Sequence, residues 1–315
     1  MREVYLDLSE CKALGDLLCA TPTIAVLSKA YGREINVITN NTEVFEGNPD
    51  IDELYDSNSF NADYIRNNPT KFIYHNSFHN IGKKNEDGVE LKHNRIDIRQ
   101  FHALNLGFQL KQDEMACKFY PNYTSISIPK PYVLIHPTST WASRTWDIQK
   151  WKQLTKLLGD TGVYVVAIGK SVETEKGFFT VEKGIFNFPI DYGESFINRT
   201  NLSDSWHLIN KSLCFVTMDS GLLHLAGTTD AQIIQLGSSI APEFRTPYRS
   251  TQDYKFQYLG GKCKIFCGSE MSYGVAEWGD VNGVPPLVGC LERKTSFECH
   301  PTAADVFAFI KSRYV

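Results

Sequence analysis

The sequence predicts an α/β protein made of two doubly wound, Rossmann-like domains in series. Three observations carry this reading. The 315 residues suffice for two domains of ordinary size, each with its own core. Between Val4 and Thr39 a strand, a helix and a second strand follow one another, a βαβ unit that implies a parallel sheet with a right-handed crossover. The same alternation restarts at Tyr132, after a stretch with proline at both ends, Pro121 to Pro131, which reads as an interdomain linker.

In order along the chain, Val4–Leu8 is a short apolar run fit for a buried strand, and it turns at Gly15-Asp16. Leu17, Leu18, Ile24, Leu27 and Tyr31 recur at helical spacing, interrupted by Pro22, with Gly32 as C-cap, before the strand Ile35–Thr39. Lys71–His75 reads as a strand, Gly82–Gly88 as a polar surface loop, and Ile98–Leu106 as a helix. His75 and His79 stand four apart, although a strand end suits them better than a helical metal pair. In the second half, Tyr132–His136 is a strand, and Asp147 caps a helix with Ile148, Trp151, Leu154 and Leu158 on one face. Val163–Ile168 has the continuous apolar character of a strand covered on both sides. A helix over Ser203–Lys211, the strand Cys214–Met218, a helix from Leu222 and the strand Gln232–Leu236 complete the alternation.

Composition excludes several classes. With 42% hydrophobic and 22% charged residues, the chain is neither disordered nor fibrous. Lys and Arg total 32 against 36 Asp and Glu, and the net charge of -4 disfavours a nucleic-acid partner. No run of about 20 apolar residues is present, and the acidic start is unlike a signal peptide, so a soluble cytoplasmic protein is expected. In that compartment the eight cysteines would be thiols or metal ligands.

In open parallel sheets, ligands bind beyond the carboxyl ends of the strands. The loop after Leu8 brings Asp16 to the head of a helix, where a carboxylate is a general-base candidate and also the ordinary dipole-complementing acid of a first turn. The loop after His136 offers Thr138, Ser139, Thr140, Ser143 and Thr145 together with Arg144, a set suited to a diphosphate or to a capped surface loop. After Met218, Asp219-Ser220-Gly221-Leu222 opens a helix with exposed N–H groups, and His224 follows one turn in. It lacks the Gly-rich run and Lys of a Walker loop.

Taken together, Gly15 to Pro22, Ser143 to Trp146 and Asp219 to Ala226 resemble the motifs of the glycosyltransferase family 9 heptosyltransferases, in the same order and over most of the chain. That resemblance implies a GT-B fold, two Rossmann-like domains facing across a cleft. Residues 1–125 would bind the acceptor and residues 131–315 the nucleotide sugar. It implies an inverting transfer from an ADP-heptose-like donor to a hydroxyl acceptor without a catalytic metal. Asp16 would be the base, while Thr138, Ser139, Arg144, Asp219, Ser220, Gly221, Leu222 and His224 would form the donor site. Arg144 stands where family members often carry Lys, which keeps the charge and alters its geometry.

Cys263, Cys267, Cys290 and Cys299 crowd into a Gly-rich stretch, residues 261–300, without clear periodicity. Four thiolates there suit one structural Zn²⁺ or Fe ion, and four unrelated thiols are the alternative. A four-cysteine finger, and Ile96 to Gly107, also resemble the autotransporter heptosyltransferase branch, which implies iron and a protein hydroxyl as acceptor. The lipopolysaccharide core is the other acceptor class within the family. Rival readings of the whole chain are a non-catalytic nucleotide-sugar-binding or redox protein and a sugar-nucleotide epimerase.

Overall fold

A computed structural model describes residues 3–61, 63–66, 68, 71–75, 95–138, 144–170, 190–249, 255–267, 291–292 and 298–315. The chain divides into two compact units, Met1–Asn122 with Pro247–Gln252, and Tyr123–Thr246 with Asp253–Val315.

The first unit runs β1 (Glu3–Asp7), α1 (Leu14–Tyr31), β2 (Ile35–Thr39), β3 (Ile51–Asp56), α2 (Asp63–Arg66), β4 (Lys71–His75) and α3 (Ile98–Leu104). Its parallel sheet has the order β3-β2-β1-β4, with Tyr5 of β1 paired to Asn36 on one side and Ile73 on the other. The strand order therefore reverses between β1 and β4, and the loop leaving β1 leads straight to Asp16. Helix α1 continues through Pro22 rather than breaking there. Pro22 has no N–H for the carbonyl of Leu18, and the hydroxyl of Thr21 donates to that carbonyl instead, at 2.7 Å. Gly32 ends the helix in the left-handed region, φ 64°, which a side chain would strain. The face bearing Leu17, Leu18, Ile24 and Leu27 is buried, and α1 packs against α3. Asp97 caps α3, and the buried Arg99 guanidinium folds back onto the same carboxylate. The expected loop Gly82–Gly88 and His79 lie outside the described residues.

The second unit runs β5 (Tyr132–Ile135), α4 (Ile148–Asp160), β6 (Tyr164–Ala167), β7 (Gly193–Ser195), α5 (Leu202–Lys211), β8 (Cys214–Thr217), α6 (Gly221–Ala226), β9 (Ile233–Leu236), β10 (Phe256–Leu259) and α7 (Ala303–Tyr314). All neighbouring strands are parallel, in the order β7-β6-β5-β8-β9-β10. Counted within the unit this is 3-2-1-4-5-6, the Rossmann order, with its reversal between β5 and β8. The core joins Val133, Val165, Val216 and Ile234 of the sheet to Trp151 and Leu154 of α4 and Val306 and Ile310 of α7. Trp146 is buried, meets Trp151 edge-on at 4.7 Å and donates its indole N–H to Pro301 O at 2.9 Å. That contact pins the segment carrying Arg144 to the entry of α7. Among the described residues no helix is long and apolar enough to cross a membrane.

Candidate active site

The strand ends on either side of the β5/β8 reversal are wired together by His136. This residue leaves β5 with its ring buried and stacked on Phe215 at 6.5 Å. Its Nδ1 lies 3.0 Å from Thr217 Oγ1 and 3.2 Å from Ser220 Oγ, and its Nε2 lies 3.0 Å from Thr138 Oγ1. Burial pushes the imidazole pKa down to about 4, so the ring is neutral at ordinary pH. The loop leaving β6 closes over the same ring at Gly169. A Cβ there would stand 2.3 Å from Thr138 Oγ1 and 2.8 Å from His136 Cδ2, and φ is 136°. Only glycine fits that position.

Asp219, the second residue after β8, is 2% exposed and receives two guanidinium groups on one carboxylate oxygen. Arg144 Nε is 3.5 Å away and Arg245 Nε 4.0 Å away. An anionic carboxylate so placed cannot itself hold a phosphate. It can fix the orientation of Arg144, whose planar fork is suited to phosphate oxygens. Ser220 sits at the N-cap of α6 with extended backbone, φ -157°, yet its hydroxyl does not cap the helix. That hydroxyl is held at His136 and, 3.3 Å away, Thr217. Because α6 is only six residues long, its dipole is small, and the N–H groups of Gly221 and Leu222 matter more than the helix as a whole. The Leu222 side chain is buried, so only its backbone faces a ligand chemistry, and His224 is buried one turn further on.

Thus the structure brings Thr138, Arg144, Asp219, Ser220, Gly221 and Leu222 to one end of one sheet. The Thr138 hydroxyl lies against His136 Nε2, and Ser139 lies outside the described residues. Sequence reasoning missed Arg245, Thr217, Gly169 and the bridging place of His136. Arg245 follows the short turn Pro242–Phe244 after β9, and nothing local marks a lone arginine there as buried. In the first unit, Asp16 occupies the first turn of α1 beyond the end of β1, half-buried, close enough to Cys11 for its charge to help push that thiol's pKa up, behind burial as the main cause.

The cysteine segment is fastened to the same sheet end. Gly261 N–H donates to Cys299 O, and Lys262 N–H to Glu298 O, both at 2.7 Å. A Cβ on Gly237, at the end of β9, would lie 2.1 Å from Cys299 O. Leu291 N–H points to Cys267 Sγ at 3.4 Å, and Glu292 Oε1 accepts from Lys264 N–H at 2.7 Å. Cys263, Cys267 and Cys299 are free of disulfides, and Cys290 lies outside the described residues. Among the described residues no group of three or more His, Cys, Asp or Glu stands together as a metal site.

Two parallel, doubly wound sheets, with an arginine and a serine hydroxyl at the switch point of the second, define an α/β protein with a candidate ligand site beyond its strand ends. The chain belongs to glycosyltransferase family 9 (heptosyltransferase), whose model matches residues 86–259. It is a glycosyltransferase. Among solved structures it resembles the bacterial iron-containing dodecameric glycosyltransferase TibC from enterotoxigenic E. coli H10407, at 18% identity, TM-score 0.67, over 99% of this chain and 76% of that one. It also resembles a family 9 glycosyl transferase from Veillonella parvula DSM 2008, at 13% identity, TM-score 0.65, over 99% and 97%. A third likeness is to E. coli ADP-heptose lps heptosyltransferase II, at 14% identity, TM-score 0.59, over 100% and 98%. At these identities the likeness is one of fold. No curated protein matches the sequence significantly.

Proposed function

We propose that this glycosyltransferase moves a heptose, or a closely related sugar, from an ADP-sugar to a hydroxyl acceptor with inversion at the anomeric carbon. The observation that carries the reading is Arg144 held against buried Asp219, beside Ser220 in the turn after β8, at the β5/β8 switch point. Family membership and the existence of TibC in complex with ADP-D-beta-D-heptose support the donor. In the transfer, the acceptor oxygen bonds to the anomeric carbon as the bond to the diphosphate oxygen breaks. The acceptor proton passes to Asp16, and ADP leaves with the bonding pair. Arg144 and the N–H groups of Gly221 and Leu222 meet the charge that grows on the departing diphosphate. The same anion would otherwise call for a metal ion, and the guanidinium takes that place. Residues 1–125 would carry the acceptor and residues 131–315 the donor.

Cys263, Cys267, Cys290 and Cys299 would hold one structural ion, iron by likeness to TibC or zinc by the general preference of four thiolates. The chemistry of the donor set supports this, as does the backbone N–H already directed at Cys267 Sγ, a contact that steadies a metal-bound thiolate. The same segment favours a protein hydroxyl over the lipopolysaccharide core as acceptor. Incubating the protein with a panel of nucleotide sugars, and with both acceptor classes, tests this by mass spectrometry. The reading requires a heptosyl residue on the protein acceptor from the ADP-sugar. Consumption of a different nucleotide sugar alone would overturn the donor, and addition only to the lipopolysaccharide core would overturn the acceptor.

A further inference from the structure

We propose that His136 is a positioning residue for the donor diphosphate, acting as a neutral imidazole in the Nδ1–H form that turns the Ser220 hydroxyl outward as a hydrogen-bond donor. The inference rests on the reading of the β5/β8 strand ends as the diphosphate site. Thr217 Oγ1 has one hydrogen and three acceptors within reach, Met218 O at 3.1 Å, His136 Nδ1 at 3.0 Å and Ser220 Oγ at 3.3 Å. With that hydrogen on the carbonyl, the oxygen accepts from Nδ1–H, and this is the arrangement proposed. A neutral ring then leaves Nε2 as acceptor, and Thr138 Oγ1 supplies the hydrogen across 3.0 Å. Ser220 Oγ, 3.2 Å from Nδ1, is a second acceptor for the same N–H, and its own hydrogen can turn either to Thr217 Oγ1, 3.3 Å away, or to a ligand oxygen. An N-cap serine normally accepts from the first-turn N–H groups of its helix. Here it does not, so its hydroxyl is not committed to the first-turn N–H groups of α6 and can serve a bound anion.

The ring is held for this purpose from three strand ends at once. The Phe215 face supports it from β8, Thr138 from β5, and Gly169 approaches so closely from β6 that no side chain fits between.

Calorimetry on the full chain, with ADP as probe, tests this. His136→Phe keeps the ring stack and removes both nitrogens, and it should weaken ADP roughly tenfold, the scale of one hydrogen bond to a charged group. Ser220→Ala should weaken it by a similar factor, and the double variant no further than either alone, because both act through one hydroxyl. His136→Asn, whose amide N–H can occupy the Nδ1 place, should recover most of the loss. In the wild type, ring ¹⁵N shifts should show a protonated Nδ1 and an unprotonated Nε2, a signature independent of whether any variant folds. Multiplying losses in the double variant, an unchanged affinity in folded His136→Phe, or a protonated Nε2 would each overturn the inference. Failure of the wild type to bind ADP would instead overturn the reading of the site, and the inference with it.

Discussion

Asp219 shows how a residue's chemistry depends on what surrounds it. An acid at a strand end looks like a ligand group, yet its burial between Arg144 and Arg245 makes it the anchor of a cation. Asp16, half-buried in a first turn, has the accessibility that a base requires. Asp16→Asn should therefore lower turnover by about 10² to 10⁴, the range for loss of a general base, with ADP affinity nearly unchanged. Steady-state kinetics beside calorimetry checks it, and near-normal turnover would shift the role to another carboxylate. His136 makes a separate prediction about acid. Its folded pKa, about 4, lies below the ordinary 6.5, so the unfolded chain takes up a proton before the folded one does. The stability it contributes is present above pH 6.5 and is lost as the pH falls toward 4, by about 3 kcal/mol at most. Denaturant melts across that window should show a shallower decline for His136→Asn than for the wild type. Parallel slopes would mean that the imidazole takes up its proton at the same pH in the folded and unfolded chain. Asp219 and Ser220 were legible in the sequence because they follow an apolar strand run closely, and Arg144 because it stands among hydroxyls in the loop between such a run and a capped helix. Arg245 was not, because its approach to Asp219 exists only once β9 is laid beside β8.

At the scale of elements, the inner strands and the edge strand β4 could be read, and the other edge strands could not. β1, β2, β5, β6, β8 and β9 are covered on both faces, so they appear as apolar runs. β3, β7 and β10 are partly exposed, and Ile51–Asp56, Gly193–Ser195 and Phe256–Leu259 lack that signature. α7 did carry a local signal. Thr302 and Asp305 form a capping box, followed by Val306 and Ile310 on the buried face. Pro22 misled the reading of α1, because the compensating bond from Thr21 depends on a side-chain rotamer that no periodicity reveals. The turn after β6 gives the sharpest prediction here. Gly169→Ala forces a Cβ into Thr138 and His136 at a backbone angle that L-residues rarely adopt. It should cost about 1 to 3 kcal/mol of stability and weaken ADP binding in parallel. Thermal melts and calorimetry on the same sample decide the matter, and an unchanged variant would show that the three strand ends are not coupled through His136.

For the molecule as a whole, the family assignment accounts for two Rossmann-type units, and the cysteine segment is the feature the sheets do not explain. It is bolted to the ends of β9 and β10 through Gly237 and Gly261, next to the donor strand ends. If it holds a structural ion, elemental analysis should find one iron or zinc per chain. Replacing any one of Cys263, Cys267, Cys290 or Cys299 by Ser should then lower metal content and melting temperature together. Metal-free protein that is folded and active would contradict this. The central claim is that the donor diphosphate is held by Arg144 at the β5/β8 switch point, and calorimetric titration of ADP into wild type and Arg144→Ala tests it most directly. One site is expected in the wild type, with an affinity lower by about 1.5 to 3 kcal/mol in the variant, the worth of a hydrogen bond to a charged group. Equal affinity in the two proteins would contradict it.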